Sequence, residues 1–220
     1  MRKHLYAALL VLGTALGGLE AMAVEEAKFD VAMKDGACEL RDYAAHVVAE
    51  VVVKGTREAA GNDAFRILFK YISGANTSKA KIAMTAPVGQ QQASQKIAMT
   101  APVEQRQAAD GWAVSFMMPA GFTLASTPAP TDTRVTLREV PAHRAAAIRY
   151  AGTWSEKNYQ KHKAELDAWI KANGLNAAGE EPVWARYNPP FTPWFMRRNE
   201  ILIPVKKDVV PPALVAPAAR

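Results

Sequence analysis

Few side chains in this sequence carry obvious chemistry, and they are scattered. The run Arg197-Arg198-Asn199-Glu200 sets a carboxylate among cations. Facing a cavity, such a carboxylate acts as a base or a cation trap, with Tyr187 as a companion acid/base hydroxyl. Strand alternation gives it a plainer task. Arg197 and Asn199 then face one side of a sheet, Arg198 and Glu200 the other, and ion pairs tie the strand down. The single cysteine, Cys38, is either a soft metal ligand or a small buried apolar group, and it cannot form an internal disulfide. His46, His143 and His162 are the histidines beyond the N-terminal segment. The first two sit beside strands, where structural roles suffice; the third lies on a helix stripe and is placed to donate to a backbone carbonyl. There is no G-x-S-x-G elbow, H-E-x-x-H, C-x-x-C or phosphate loop, which removes the commonest hydrolase, zinc-peptidase, redox and nucleotide readings.

The elements that must position these groups come in two related sets. Leu40-Arg41-Asp42-Tyr43-Ala44-Ala45-His46 resembles Leu137-Arg138-Glu139-Val140-Pro141-Ala142-His143, and the match runs ungapped to Gly55-Thr56 and Gly152-Thr153 at an offset of 97 residues. A period that long is a duplicated subdomain and not a solenoid repeat. In each half a β-branched strand (46–53, 145–150) leads to a Gly-Thr pair and a helix (58–72, 155–172). Thr153 and Glu156 have capping-box spacing. Tyr159, His162, Leu166 and Trp169 form the inward stripe of the second helix. Gly74 and Gly174 stop the two helices. Further strands are expected at 81–88, 96–103, 112–118, 183–187 and 199–205, with Pro119 and Pro204 closing the last of each half. The segment Lys81-Ile-Ala-Met-Thr-Ala-Pro-Val88 recurs word for word at 96–103 and reads as a hairpin.

With 220 residues, half of them hydrophobic, the chain suits one domain plus tails. Arg2-Lys3-His4, an apolar stretch to Leu19 and Ala21-Met22-Ala23 read as a signal peptide over 1–23, which implies a periplasmic or secreted protein beginning near Val24. Its loss leaves 25 basic against 20 acidic side chains, a mild excess without a basic, aromatic-interleaved stripe, so nucleic acid is not an expected partner. No later stretch is long enough for a stable membrane span. The domain is expected over 24–208, and the Pro/Ala-rich segment 209–220 as a disordered tail.

The doubled KIAMTAPV, Trp112-Ala-Val-Ser-Phe-Met-Met-Pro119, Val135-Thr-Leu-Arg-Glu-Val-Pro141 and Arg197-Arg198-Asn199-Glu200 resemble the SOUL/haem-binding-protein family over about 29–205. The resemblance implies an α+β fold, a distorted antiparallel β-barrel with two helices made of two pseudo-twofold-related β-α-β-β halves. It extends to bacterial effector-binding domains, which cradle small aromatic cations. It implies haem, or another tetrapyrrole or hydrophobic small molecule, held mainly in an apolar cleft along the first helix, at Phe65, Phe69 and Ile72, with Met84 and Met99 of the paired MTAPV segments as further contacts. His46, His143 and His162 are the candidate axial ligands. Some members carry histidine directly before the tyrosine matching Tyr43, where this chain has Asp42, so a strong histidine bond is not expected. An effector-binding-like module, or an enzyme acting on a small hydrophobic or cationic ligand with Glu200 and Tyr187 in its cavity, is the alternative.

Overall fold

A computed structural model describes residues 24–78 and 94–207. The expected signal peptide, the tail from 209, the strand 81–88 and Met84 lie outside the described residues. In chain order the elements are β1 (Glu25–Glu26), β2 (Phe29–Asp35), β3 (Cys38–Tyr43), β4 (His46–Val53), α1 (Arg57–Ile72), β5 (Asn76–Thr77), β6 (Thr100–Ala101), β7 (Val103–Ala108), β8 (Gly111–Met117), β9 (Ala129–Pro130), β10 (Thr136–Val140), β11 (His143–Tyr150), α2 (Glu156–Ala172), β12 (Val183–Arg186) and β13 (Asn199–Val205). Nine of the strands form one antiparallel sheet in the order β10-β4-β8-β7-β12-β13-β11-β3-β2.

The duplication is written into the register. Leu40 pairs with Ala146 and Leu137 with Ala49; Tyr43 pairs with His143 and Val140 with His46. In each case both partners move by the 97-residue offset, so a pseudo-twofold passes between β7 and β12. The halves exchange their first strands: β3 pairs on β11 and β10 on β4.

Alternation sorts the sheet into two faces. Val47, Ala49 and Val51 pack with Ala64, Leu68 and Ile72 of α1, whereas Ala146, Ile148, Ile201 and Ile203 pack with Leu166, Trp169 and Ile170 of α2. Both helices lie on this face. The other face carries the small cluster of Tyr43, Ala145, Ala147, Ala185 and Leu202, with the ion pairs of Glu50 and Glu200 beside it. Cys38 is core, its thiol pushed up to about 11 chiefly by burial.

Several expectations are corrected. The sheet is open and not a closed barrel: β2 and β10 are its two edges and do not pair. Closure needs terminal strands that meet in register, and β2 has no counterpart in the sheet from the second half. Residues 94–99 are not a strand; the partner of β8 is the polar β7. Pro204 lies inside β13, opposite Ala145, instead of ending it. The α2 cap is Ser155, whose hydroxyl accepts from Asn158 N at 3.3 Å, and not Thr153. Thr56 caps α1 as expected.

Gly111 closes the β7–β8 hairpin at φ 140°, and a Cβ there would stand 2.3 Å from Val53 O. Gly111→Ala is therefore expected to lower stability by about 2–3 kcal/mol, read as a shifted urea midpoint with unchanged slope.

Candidate functional site

The first helix presents two stripes. Ala60, Ala64, Leu68 and Ile72 follow one another at four-residue steps and are buried in the core. Phe65 and Phe69 run beside them, one residue round the helix, on its flank. Their rings stack with centroids 5.8 Å apart and an interplanar angle of 11°. Phe65 also meets Phe116 edge-on at 5.4 Å, which anchors the inner end of the pair, while Phe69 is 50% exposed. They border an open groove of about 840 Å³ between α1 and the end of β4. Lys54, Arg66, Lys70 and Arg134 line it together with the acidic Asp63. Arg66 pairs with Asp63, and Arg134 pairs with Asp132 at 2.7 Å, so cations outnumber the acids around the apolar pair. Ile72 does not reach this groove: it is four residues beyond Leu68 as well as three beyond Phe69, and the inward stripe claims it. Met99 packs, partly buried, against the core beneath α1.

A second recess, of about 570 Å³, opens on the helix-free face across the pseudo-twofold. It brings His46 and His143 together, ring centroids 6.3 Å apart, with Glu104, Arg106 and Arg138. Each histidine donates its Nδ1–H to the carbonyl two residues earlier, Ala44 or Pro141, at 3.0 Å. Tyr43 stacks on His143 at 5.2 Å. Glu50 receives Arg106 at 3.0 Å and Arg138 at 2.8 Å. Burial alone would raise its carboxyl, but the hydrogen bond from Arg138 and the charge of Arg106 outweigh that and hold it below the usual range.

Glu104 is different. Its only side-chain hydrogen bond among the described residues is a long one, 3.5 Å from Ser115, and desolvation raises its carboxyl above the ordinary value. A raised folded-state value contributes stability below the unfolded pKa that is lost as pH rises through the folded one. Glu104→Gln is thus expected to gain about 1 kcal/mol at pH 7–8 and almost nothing at pH 4, which denaturant melts at the two pH values would measure.

The residues Glu200 and Tyr187 do not line either recess. Glu200 is fully buried and saturated: Arg41 reaches it at 2.6 Å, Arg198 at 2.9 Å and the Tyr187 hydroxyl at 2.9 Å. Arg41 also holds Glu39 at 2.8 Å, and Arg198 holds Glu26 at 2.8 Å. This corrects the reading that puts them in a ligand cavity, because a carboxylate already ringed by two guanidiniums and a phenol has no lone pair to offer. Asp42 is likewise engaged, by Arg144 at 2.6 Å, whose hydrogen bonds lower its carboxyl. His162 does not donate to a backbone carbonyl; it stacks on Tyr150 at 4.2 Å and gives its Nδ1–H to Glu165 at 2.9 Å. No histidine borders the α1 groove among the described residues, and none of them forms a group of three or more His, Cys, Asp or Glu arranged for a metal.

The family resemblance pointed to the Phe65–Phe69 pair, and its four-residue spacing put both rings on one helix face. It missed Lys54 and Arg134, which come from other elements, and Glu104, which sits in a strand of ordinary polar composition.

Comparison with known proteins agrees with this architecture. Heme-binding protein 1 of Xenopus laevis is 27% identical over 196 residues, 87% of this chain and 95% of that protein. Among solved structures, the EcmrR C-terminal domain superposes with a TM-score of 0.51 at 13% identity, covering 77% of this chain and 97% of that one. A hydrolase from Listeria innocua superposes with a TM-score of 0.50 at 14% identity, covering 79% and 94%. At such identities these two share the fold alone. The model of the SOUL heme-binding protein family matches residues 24–204, most of the chain and both of its halves, and the protein belongs to that family.

Proposed function

We propose that this protein binds haem or a related tetrapyrrole in the α1 groove, by apolar contact with Phe65 and Phe69 and by ion pairing of the propionates with Lys54, Lys70 and Arg134. The observation that carries this reading is a stacked phenylalanine pair left half open to solvent beside a groove rimmed by cations. A flat macrocycle with two carboxylates matches such a surface in shape, polarity and charge. The three histidines lie elsewhere, so iron receives no imidazole from this face, and Met99 contributes only by packing from below. Haemin titration of the protein, followed at the Soret band, tests the reading. Saturable one-to-one binding that weakens when Lys70 and Arg134 are both replaced by glutamate supports it; binding indifferent to the charge reversal overturns it.

A second reading rests on Glu104. A carboxylate that makes no salt bridge among the described residues, in a recess it shares with Tyr43, two histidines, Arg106 and Arg138, is the group there that would receive a small organic cation. Such a ligand would be lost in Glu104→Gln, which leaves haemin binding unchanged.

The domain of residues 24–208 acts, on this proposal, in the periplasm or outside the cell after removal of residues 1–23. N-terminal sequencing of protein recovered from its host should begin near Val24; an intact Met1 overturns export with cleavage.

A further inference from the structure

The connection between β12 and β13 reads Asn188-Pro-Pro-Phe-Thr-Pro-Trp-Phe-Met-Arg-Arg198. Its four large apolar side chains point outward: Phe191, Trp194, Phe195 and Met196 are 86%, 59%, 61% and 65% exposed. Single exposed apolar residues are ordinary; four within six consecutive positions are a patch.

The exposure is built into the backbone. Thr192 N donates to Pro189 O at 3.1 Å, Met196 N to Pro193 O at 2.9 Å, and Gly152 N to Trp194 O at 3.0 Å. Arg197 donates to Thr192 O at 2.8 Å and Pro190 O at 2.7 Å, and its guanidinium lies 4.2 Å from the centroid of the Trp154 ring. Three prolines restrict the rest. A segment tied on both sides cannot fold its aromatics back onto the core, so they face outward at a standing cost in solvation.

Cations flank the patch. Phe195 and Met196 border a recess with Arg149 and Arg197, and Val31 beside them is 49% exposed. Neither Arg149 nor Arg197 makes a salt bridge among the described residues.

We propose that this loop docks the protein on an anionic lipid bilayer, with Phe191, Trp194, Phe195 and Met196 entering the interface and Arg149 and Arg197 meeting the lipid phosphates. Two arguments favour a bilayer over a protein. A specific protein interface buries about 800 Å² on each side and needs about one hydrogen bond per 100–200 Å²; a six-residue segment with four exposed apolar side chains supplies neither. A bilayer interface asks for what is present, aromatic side chains at the boundary and positive charge beside them. The proposal is independent of haem.

The test uses the full chain with vesicles of phosphatidylcholine, with and without phosphatidylglycerol, some carrying brominated acyl chains. Co-sedimentation should require phosphatidylglycerol, should weaken roughly tenfold in Phe191→Ser/Phe195→Ser, and should weaken in Arg149→Gln. Trp194→Phe should still bind but should lose the quenching by brominated lipid that the native protein shows. These side chains are exposed, so unchanged melting temperatures serve as the folding control. Equal quenching of native protein and Trp194→Phe would overturn the proposal, as would loop variants that bind like the native chain, because the N-terminal apolar segment would then be the anchor. Self-association lost in Phe195→Ser, without vesicle binding, would assign the patch to a second copy of this chain and overturn it equally.

Discussion

Replacing Glu200 by alanine is expected to remove about 3–5 kcal/mol of stability, a large share of what a domain of this size possesses. The carboxylate is fully buried and stands between Arg41, itself 2% exposed, and Arg198. Its loss leaves Arg41 with Glu39 alone and Arg198 with Glu26, in a pocket that cannot readmit enough water to solvate the excess positive charge. The Tyr187 hydroxyl loses its acceptor as well. The cost arises from stranded charge, so removing both partners should be milder: Glu200→Leu combined with Arg41→Met is expected to recover part of the loss. An exposed pair provides the contrast. Lys163→Ala breaks the 2.7 Å contact with Asp167 on the surface of α2 and should cost no more than about 0.5 kcal/mol. Urea melts of the three variants decide the matter. Glu200→Ala no worse than Lys163→Ala would show that the network contributes nothing net, and a double replacement as damaging as the single one would show that shape, not charge, is what matters there.

Haemin affinity is expected to fall tenfold to a hundredfold in Phe69→Ala, with little change in the melting temperature of the ligand-free protein. The ring is half exposed before binding and makes its main packing contact with Phe65, so the free protein loses little when it is removed. The bound macrocycle loses a face. Phe65→Ala should weaken binding by a similar factor but also destabilise the apoprotein, because that ring supports Phe116 edge-on. Changes to histidine provide the opposite control. His46 and His143 lie in the recess on the helix-free face and His162 stacks on Tyr150, so alanine at any of them should leave the Soret position unchanged. A shifted Soret band with loss of affinity in one histidine variant, and full affinity in Phe69→Ala, would place the ligand in the central recess and make that histidine its axial partner.

Local sequence determined what depends on near neighbours. The capped start of α1, the glycines past the helix ends, the alternating apolar positions of β4 and β11 and the four-residue spacing of Phe65 and Phe69 all follow from chain geometry over a few residues. The ungapped 97-residue repeat also fixed the symmetry, since equivalent strands had to meet equivalent partners. Sequence did not reveal that β3 pairs on β11 and β10 on β4, because strand pairing across halves is chosen by the packing of two faces at once and leaves no local mark. That exchange, together with an edge strand β2 without a counterpart, left the sheet open. The polar β7 shows the same limit: no strand was expected over 104–108, yet its place at the middle of the sheet desolvates Glu104. The groove divides along the same line. Its aromatic pair lies on one helix and was legible through the family resemblance, whereas Lys54, just past β4, and Arg134, just before β10, lie 80 residues apart in the chain and come together only when the sheet and α1 close on each other. Charge acts through space and not along the chain, so which cations face a ligand, and which carboxylates are neutralised before a ligand can arrive, was decided by the tertiary structure alone.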